Sequence, residues 1–590
     1  MNYAKLGSEE EEVVTTSFDG LQDMVDERKG AESTEEDDSF LIKNDKKQQR
    51  KLGVETFTIE IDEDDDCEKI PNEKGSNKNE DGTEEKEDLS TMNVNELLYK
   101  IFIMAYPVVI GFFLNLGGSF TTLGFAGHLP DNGDMTSSTY LAAISLANMF
   151  GNVTSLSLII GMTTAMETLG SQYFGHGSYD KVGMTLHRSI FLLLLLSIPT
   201  YVTWHYAENI FLLLGIDATV CKLIGLYLRI RMFGIPCDCL EKSYAKYLSS
   251  IGVMNPCMYG SITFVSSLVI LNTICVVGFK LGVASLGICY VTAQYLAATV
   301  EFLTSLDHPS VQKTIPSMIK FNEIMQYKEI TQYIKLGIPG TLMLCAEWWA
   351  YELLTVLASR LGTTSVAAQT IIMSCASLAY MIPLGLSVAV SSMVGNAVGA
   401  GNKTLAFDIS KLSLKIIVCI ELFMGVILYF GGTYFAGLFT NDGSVLSICQ
   451  LSMSFMAFFV LVDGIFAVIS GILRGAGKQA IGAVTNICSF YLVGLPVAAL
   501  FCFKTDFGVP GLLMGMSIAA SLQDVIVTTY IFRDPEKLFQ RVAEDKIDEV
   551  ISPLSDEVIT SPLSDEVEMV KVTFGENDND KDYEEEVITQ

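Results

Sequence analysis

The chain lacks most of what a soluble catalyst needs. Its five histidines, His128, His176, His187, His205 and His308, lie near helix ends or loops without metal-ligand spacing. Its 13 cysteines show neither zinc spacing nor a paired extracellular framework. Cys237-x-Cys239 is too close for a normal zinc pair, and twelve of the cysteines sit in or beside apolar segments, where thiols serve as small hydrophobes. The Gly-rich runs at 395–401 and 475–477 lack the lysine-serine ending of a phosphate loop. No ATP-hydrolysing domain is present. These absences argue against an enzyme, a metal cofactor and a nucleic-acid partner. The start is polar, and the first apolar stretch is expected to act as an internal insertion signal.

Charge is also missing from the middle of the chain. The formal net charge is −30. Residues 1–98 hold 30 acids and 12 bases, and residues 533–590 hold 18 and 6. That leaves 20 acids and 20 bases in 99–532, a neutral core between two acidic tails. High net charge with few apolar residues is the composition of disordered segments, so both tails are expected to be disordered. The second carries Ser-Pro-Leu-Ser-Asp-Glu-Val twice, at 552–558 and 561–567.

What is present is apolar length. Half of the residues are hydrophobic, concentrated between the tails. Twelve apolar segments lie near 101–125, 140–163, 188–208, 220–240, 257–278, 283–306, 335–358, 366–393, 413–431, 447–471, 481–502 and 510–532. Each can cross a hydrocarbon layer of about 30 Å at about 1.5 Å per residue. The expected fold is an all-α polytopic membrane protein of twelve transmembrane helices.

The longest internal polar stretch, about 307–334, divides these segments six and six. The halves repeat. Gly161-Met-Thr-Thr-Ala165 parallels Gly385-Leu-Ser-Val-Ala389, and Gly175-His-Gly177 parallels Gly399-Ala-Gly401, both at an offset of 224. Pro107 parallels Pro339, and Leu141-Ala-Ala143 parallels Val366-Ala-Ala368. Six helices per half give both halves one orientation, hence two pseudo-symmetric lobes with substrate between them. The expected division is an N-tail (1–98), an N-lobe (99–306), a cytosolic linker (307–334), a C-lobe (335–532) and a C-tail (533–590).

Lys and Arg number 13 in one set of loops and 4 in the other. The richer side, with Lys181, Lys246, Arg474 and Lys478 among its members, is expected to be cytosolic, and both termini with it. The sequons at Asn402 and Asn152 then escape glycosylation.

Carboxylates inside a membrane are costly and mark function by default. Four lie well within apolar segments: Glu347, Glu352, Glu421 and Asp463. A desolvated carboxyl favours its neutral form and exchanges a proton when water or a cation enters. Glu347 and Glu352, five residues apart, fall about 140° apart on a helix, so one is expected to line a cavity while the other points into the bundle. Trp348 and Trp349 flank Glu347. Their faces could cage an organic cation, or pack as interfacial anchors.

These residues resemble the multidrug and toxic compound extrusion (MATE) family in its eukaryotic branch. The resemblance rests on Cys345-Ala-Glu-Trp-Trp-Ala-Tyr-Glu352, Ala379-Tyr-Met-Ile-Pro383, Val394-Gly-Asn-Ala-Val-Gly-Ala-Gly401, Gly471-Ile-Leu-Arg-Gly-Ala-Gly-Lys-Gln479 and Glu167-Thr-Leu-Gly-Ser-Gln172. It covers about 99–532. It implies that Glu347 and Asp463 are the coupling acids of the C-lobe, that Glu352 is a second seventh-helix acid, and that Asn152 and Tyr380 are polar site positions. At Ser374 the chain departs from animal organic-cation exporters, which carry a further glutamate. The first helix has Asn115 near the place where some prokaryotic members have Asp. The expected activity is export of small organic solutes, most simply cations, through a monomer in the plasma membrane or an endomembrane such as the vacuole. Protons are the expected coupling ion and no cofactor is expected. The sequence leaves open sodium coupling and a lipid-linked oligosaccharide flippase of the wider superfamily.

Overall fold

The computed structural model describes residues 93–129, 136–315, 321–440, 442–505 and 507–542. Residues 1–92 and 543–590, with most of both acidic tails and the repeated heptapeptide, lie outside the described residues.

Among the described residues, twelve long helical rods follow one another. In the first half they are α1 (Val94–Gly127), α2 (Ser137–His176), α3 (Tyr179–His205), α4 (218–250), α5 (Asn255–Gly278) and α6 (Val283–Ser305). In the second half they are α7 (Tyr327–Ser359), α8 (Thr363–Gly399), α9 (Lys403–Gly437), α10 (Gly443–Gly475), α11 (Gln479–Lys504) and α12 (Val509–Arg533). Ten are long and apolar enough to cross a membrane. The other two are α4, broken by a tight turn at Met232–Gly234 and bearing Arg231, Asp238, Glu241 and Lys242, and α7, which bears Glu347 and Glu352. Their charge is what sets them apart. The structured regions also exceed the sequence boundaries. α1 begins at Val94 and α7 at Tyr327, while ordered chain continues past α12 to Val542.

The repeat is visible in how helices stop. α2, α4, α8 and α10 end at Gly177, Gly252, Gly401 and Gly477, all in the left-handed region at φ 82°, 79°, 77° and 70°. Glycine adopts that conformation without a Cβ clash, which closes the last turn. The closing bonds match: Ser178 N–H to Tyr173 O, Val253 to Leu248, Asn402 to Ala397 and Lys478 to Leu473, at 2.8–2.9 Å. These ends share the side of the bundle that carries Lys181, Lys246, Arg474 and Lys478, here termed the basic end.

Between helices in lipid there is little hydrophobic drive, so close packing through small residues holds the bundle. The seam between the halves follows this rule with reciprocal contacts. A Cβ at Gly175 would meet the Asn396 carbonyl, and one at Gly399 would meet the Gln172 carbonyl. Positions 175 and 399 differ by 224, as do 172 and 396. Nearer the middle, Gly161 lies on Thr341 and Gly385 on Val109 in the same reciprocal manner. Exchanged contacts of this kind are what a twofold interface produces.

The hydrogen bonds that join the halves cluster between the middle of the bundle and the basic end. Tyr333 donates to the Met162 carbonyl at 3.1 Å, Thr168 to the Arg474 carbonyl at 2.7 Å, Gln172 to the Gly475 carbonyl at 3.0 Å, and Ser392 to the Ser249 carbonyl at 2.6 Å. The two halves are thus tied together towards the basic end.

Candidate functional site: a tyrosine-held pair of carboxyls

A cavity of about 310 Å³ sits on the far side of this seam. It brings together all seven residues named from the sequence: Asn152, Glu347, Trp348, Trp349, Glu352, Tyr380 and Asp463. Its walls are α7, α8 and α10, with a strip of α2.

Glu347 lies on α7, eight residues past the internal Pro339, and is 4 % exposed. Tyr380 of α8 donates its hydroxyl to Glu347 Oε1 at 3.0 Å. Tyr351, one helical turn beyond Glu347 on the same face, donates to Oδ1 of Asp463 on α10 at 2.6 Å. Asp463 is 6 % exposed. The Tyr351 ring stands edge-on to Phe459 and Phe490, with centroids 5.8 and 6.1 Å away. Each carboxyl therefore has one oxygen engaged by a phenol and lies among apolar walls. Burial among such walls disfavours charge unless a proton or cation compensates it.

Glu347 and Glu352 do not divide as their angular spacing suggests. Both line the same cavity, with Glu347 buried and Glu352 exposed. A cavity wide enough to span that angle accommodates both. Trp349 is 40 % exposed and shares the wall with Trp348. Asn152 opens a five-residue π-helical stretch, Asn152–Leu156, in which the widened turn re-aims side chains. The first half contributes Asn152, Val153 and Ser157, none of them ionisable. Under the 232-residue offset of Pro107 and Pro339, Glu347 corresponds to Asn115. Asn115 bonds Ser261 at 3.2 Å and is not part of the cavity wall.

Other acids lie elsewhere. Glu421 is fully buried against Gly464, on a groove between α9 and α10 separate from the cavity. Neither of its oxygens has a hydrogen-bond partner among the described residues. The sequence places four acids well inside apolar segments. The structure adds Glu167, Asp238, Glu301 and Asp524 as acids held within the helices. Glu167 of α2 takes Lys246 at 2.6 Å and Arg474 of α10 at 3.6 Å, an ion triad that crosses the seam. Asp238 pairs with Gln294, and Arg231 stacks 3.6 Å from the Tyr290 ring centre. Tyr351 is a further site residue, and its position four residues after Glu347 is a signal the sequence carries. Ser374 bonds the Thr370 carbonyl at 2.8 Å and is not part of the cavity wall.

The MatE family model matches residues 107–275 and 339–500, more than half the chain. The chain belongs to the MATE family. Both matched segments begin at the paired prolines, so the family pattern itself covers the two halves in turn. Mouse multidrug and toxin extrusion protein 2 is 33% identical over 71% of this chain and 71% of its own length. Human multidrug and toxin extrusion protein 1 is 31% identical, covering 74% and 75%. The eukaryotic MATE transporter AtDTX14 superposes with a TM-score of 0.69 at 25% identity, over 76% of this chain and 99% of that one. This MATE protein is accordingly a membrane transporter with twelve helices in two pseudo-symmetric lobes, α1–α6 and α7–α12.

Proposed function

We propose that the protein is a proton-coupled antiporter that exports organic solutes by alternating access of its two lobes. The observation that carries this reading is the pair of tyrosine-held carboxyls, Glu347 and Asp463, facing one aromatic-walled cavity. The printed names of the mouse and human relatives support an extrusion role. The substrate class is organic cations and polyaromatics. Cation–π contact with Trp348 and Trp349 adds to the attraction of the carboxylates.

In this cycle the basic end lies in the cytosol with both termini, and the present state opens its cavity outward. Protons bind the Glu347 and Asp463 carboxyls from outside and remove the charge that holds a cation, so substrate leaves. The seam then opens and the protons pass to the cytosol. The recharged carboxylates take the next substrate. Glu352, exposed in the cavity, and Asn152 and Tyr380 on opposite walls shape the site. The transporter acts as a monomer in the plasma membrane or an endomembrane.

No Lys or Arg lines the cavity among the described residues, which disfavours an anionic lipid-linked oligosaccharide as cargo. The deciding experiment is ethidium transport in proteoliposomes under separately imposed pH and sodium gradients, with Glu347→Gln and Asp463→Asn beside the unsubstituted chain. A pH gradient alone is expected to drive uptake, and both variants to abolish it. Transport driven by sodium alone, or untouched by both substitutions, defeats the reading.

A further inference from the structure

Beyond α12 the chain stays on the protein. Pro535–Leu538 makes one helical turn, started by Asp534, whose carboxylate accepts the Lys537 N–H at 3.2 Å. Leu538 and Phe539 are buried in a core shared by α1, α8, α9, α10 and α12. Arg541 Nε donates to the Val398 carbonyl, at the end of α8, at 3.4 Å. The segment then crosses the seam. Val542 donates its backbone N–H to Gln172 Oε1 of α2 at 3.1 Å, and its side chain packs against the core of the first half and over Gly477.

Gln172 is therefore held three times from the other half. Its carbonyl faces Gly399, its Nε2 donates to the Gly475 carbonyl, and its Oε1 accepts from Val542. The first two contacts belong to the twofold seam or lie beside it. The third does not. The chain after α6 is the symmetry counterpart of the segment after α12, and among its described residues the side-chain hydrogen bonds run to its own half. There Thr314 meets the Tyr247 hydroxyl at 2.5 Å, and Arg188 of α3 donates to the carbonyls of Glu323 and Ile324. The glycine contacts of the seam are reciprocal, and residues 534–542 add a one-sided tie across it.

We propose that residues 534–542 form a strap, anchored on the second half and latched to Gln172, that holds the basic end shut and must let go of α2 each time that end opens. The inference rests on the alternating-access reading. It assigns Gln172 and Val542 to a gate that is remote from the cavity. One backbone hydrogen bond and one small apolar contact make a weak latch, suited to opening in every cycle.

The test uses the full chain with Gln172→Cys and Val542→Cys together, cross-linked by a short thiol-reactive bridge and verified by mass spectrometry. Bridging is expected to stop ethidium transport, and cleaving the bridge to restore it. Each single-cysteine variant, treated alike, controls for the native thiols. A verified bridge that leaves transport at the unbridged rate overturns the strap. A second arm needs no transported probe. Val542→Asp places a carboxylate on the apolar side of α2 and is expected to raise thiol labelling of Ser392→Cys, from the basic end, by about tenfold. Unchanged labelling also overturns the proposal. Because this arm does not depend on ethidium being carried, failure of the strap and failure of the antiport reading are told apart.

Discussion

Tyr351 reaches from one turn beyond Glu347 to donate its hydroxyl to Asp463, 2.6 Å away on another helix. The two acids are thereby linked through one face of α7. In the proposed cycle, a change in the protonation of Asp463 would reach the helix that carries Glu347 through this hydrogen bond. Tyr351→Phe keeps the ring and its contacts with Phe459 and Phe490 but removes the donor. Hydrogen bonds to charged groups are worth about 1.5–3 kcal/mol, so pH-driven transport should fall about tenfold or more. The check is the initial rate in proteoliposomes. A rate equal to that of the unsubstituted chain would remove Tyr351 from the coupling path.

Proton and substrate compete for the same carboxyls in this scheme, so linkage requires each to weaken the other. The Kd for ethidium in detergent should rise as pH falls. In Glu347→Gln with Asp463→Asn the affinity should be low and flat with pH. Titration calorimetry at several pH values measures both. An unsubstituted chain whose Kd does not vary with pH contradicts the competition.

Glu421 offers a contrast within the same lobe. It is buried, but on the other side of α10 from the cavity. Glu421→Gln should leave the pH dependence of transport unchanged, while Glu421→Lys should lower the yield of folded protein. If the Gln variant uncouples transport from the pH gradient, the coupling path extends beyond the cavity.

The ion triad at the seam is predicted to be structural in the closed state. Glu167→Gln leaves Lys246 and Arg474 facing one another without a counter-charge. Removing one member of a buried pair costs about 3–5 kcal/mol, so thermal unfolding in detergent should move to clearly lower temperature. Glu167→Asp should recover part of the loss. An unshifted transition in the Gln variant would show the triad to be solvated.

The trace of the fold in the sequence was strong because lipid demands long apolar runs, and because the repeated glycines mark equivalent turns. Two rods, α4 and α7, are less apolar, yet punctuation and the repeat still located them. The site was legible for a related reason: Glu347 and Asp463 stand out where charge is scarce. What stayed hidden depended on angles around helices. Glu352 shares the cavity despite its spacing, and Tyr351 joins two acids through a contact 112 positions apart in the chain. Glu301 lies five residues from the end of its apolar run, where a carboxylate reads as a boundary, whereas Asp524 lies eight residues inside its run, as deep as Asp463, and was readable.

The reciprocal glycine contacts also bear on speed. At Gly175 and Gly399 backbone meets backbone, with no side chain inserted into a socket on the opposite lobe. Surfaces that meet this way can separate or roll without first withdrawing an interlocked group. Nearer the middle, Thr341 at Gly161 and Val109 at Gly385 do reach across, so resistance to parting rises away from the basic end. The stretch made smooth by missing side chains is where thermal motion can begin to unzip the seam.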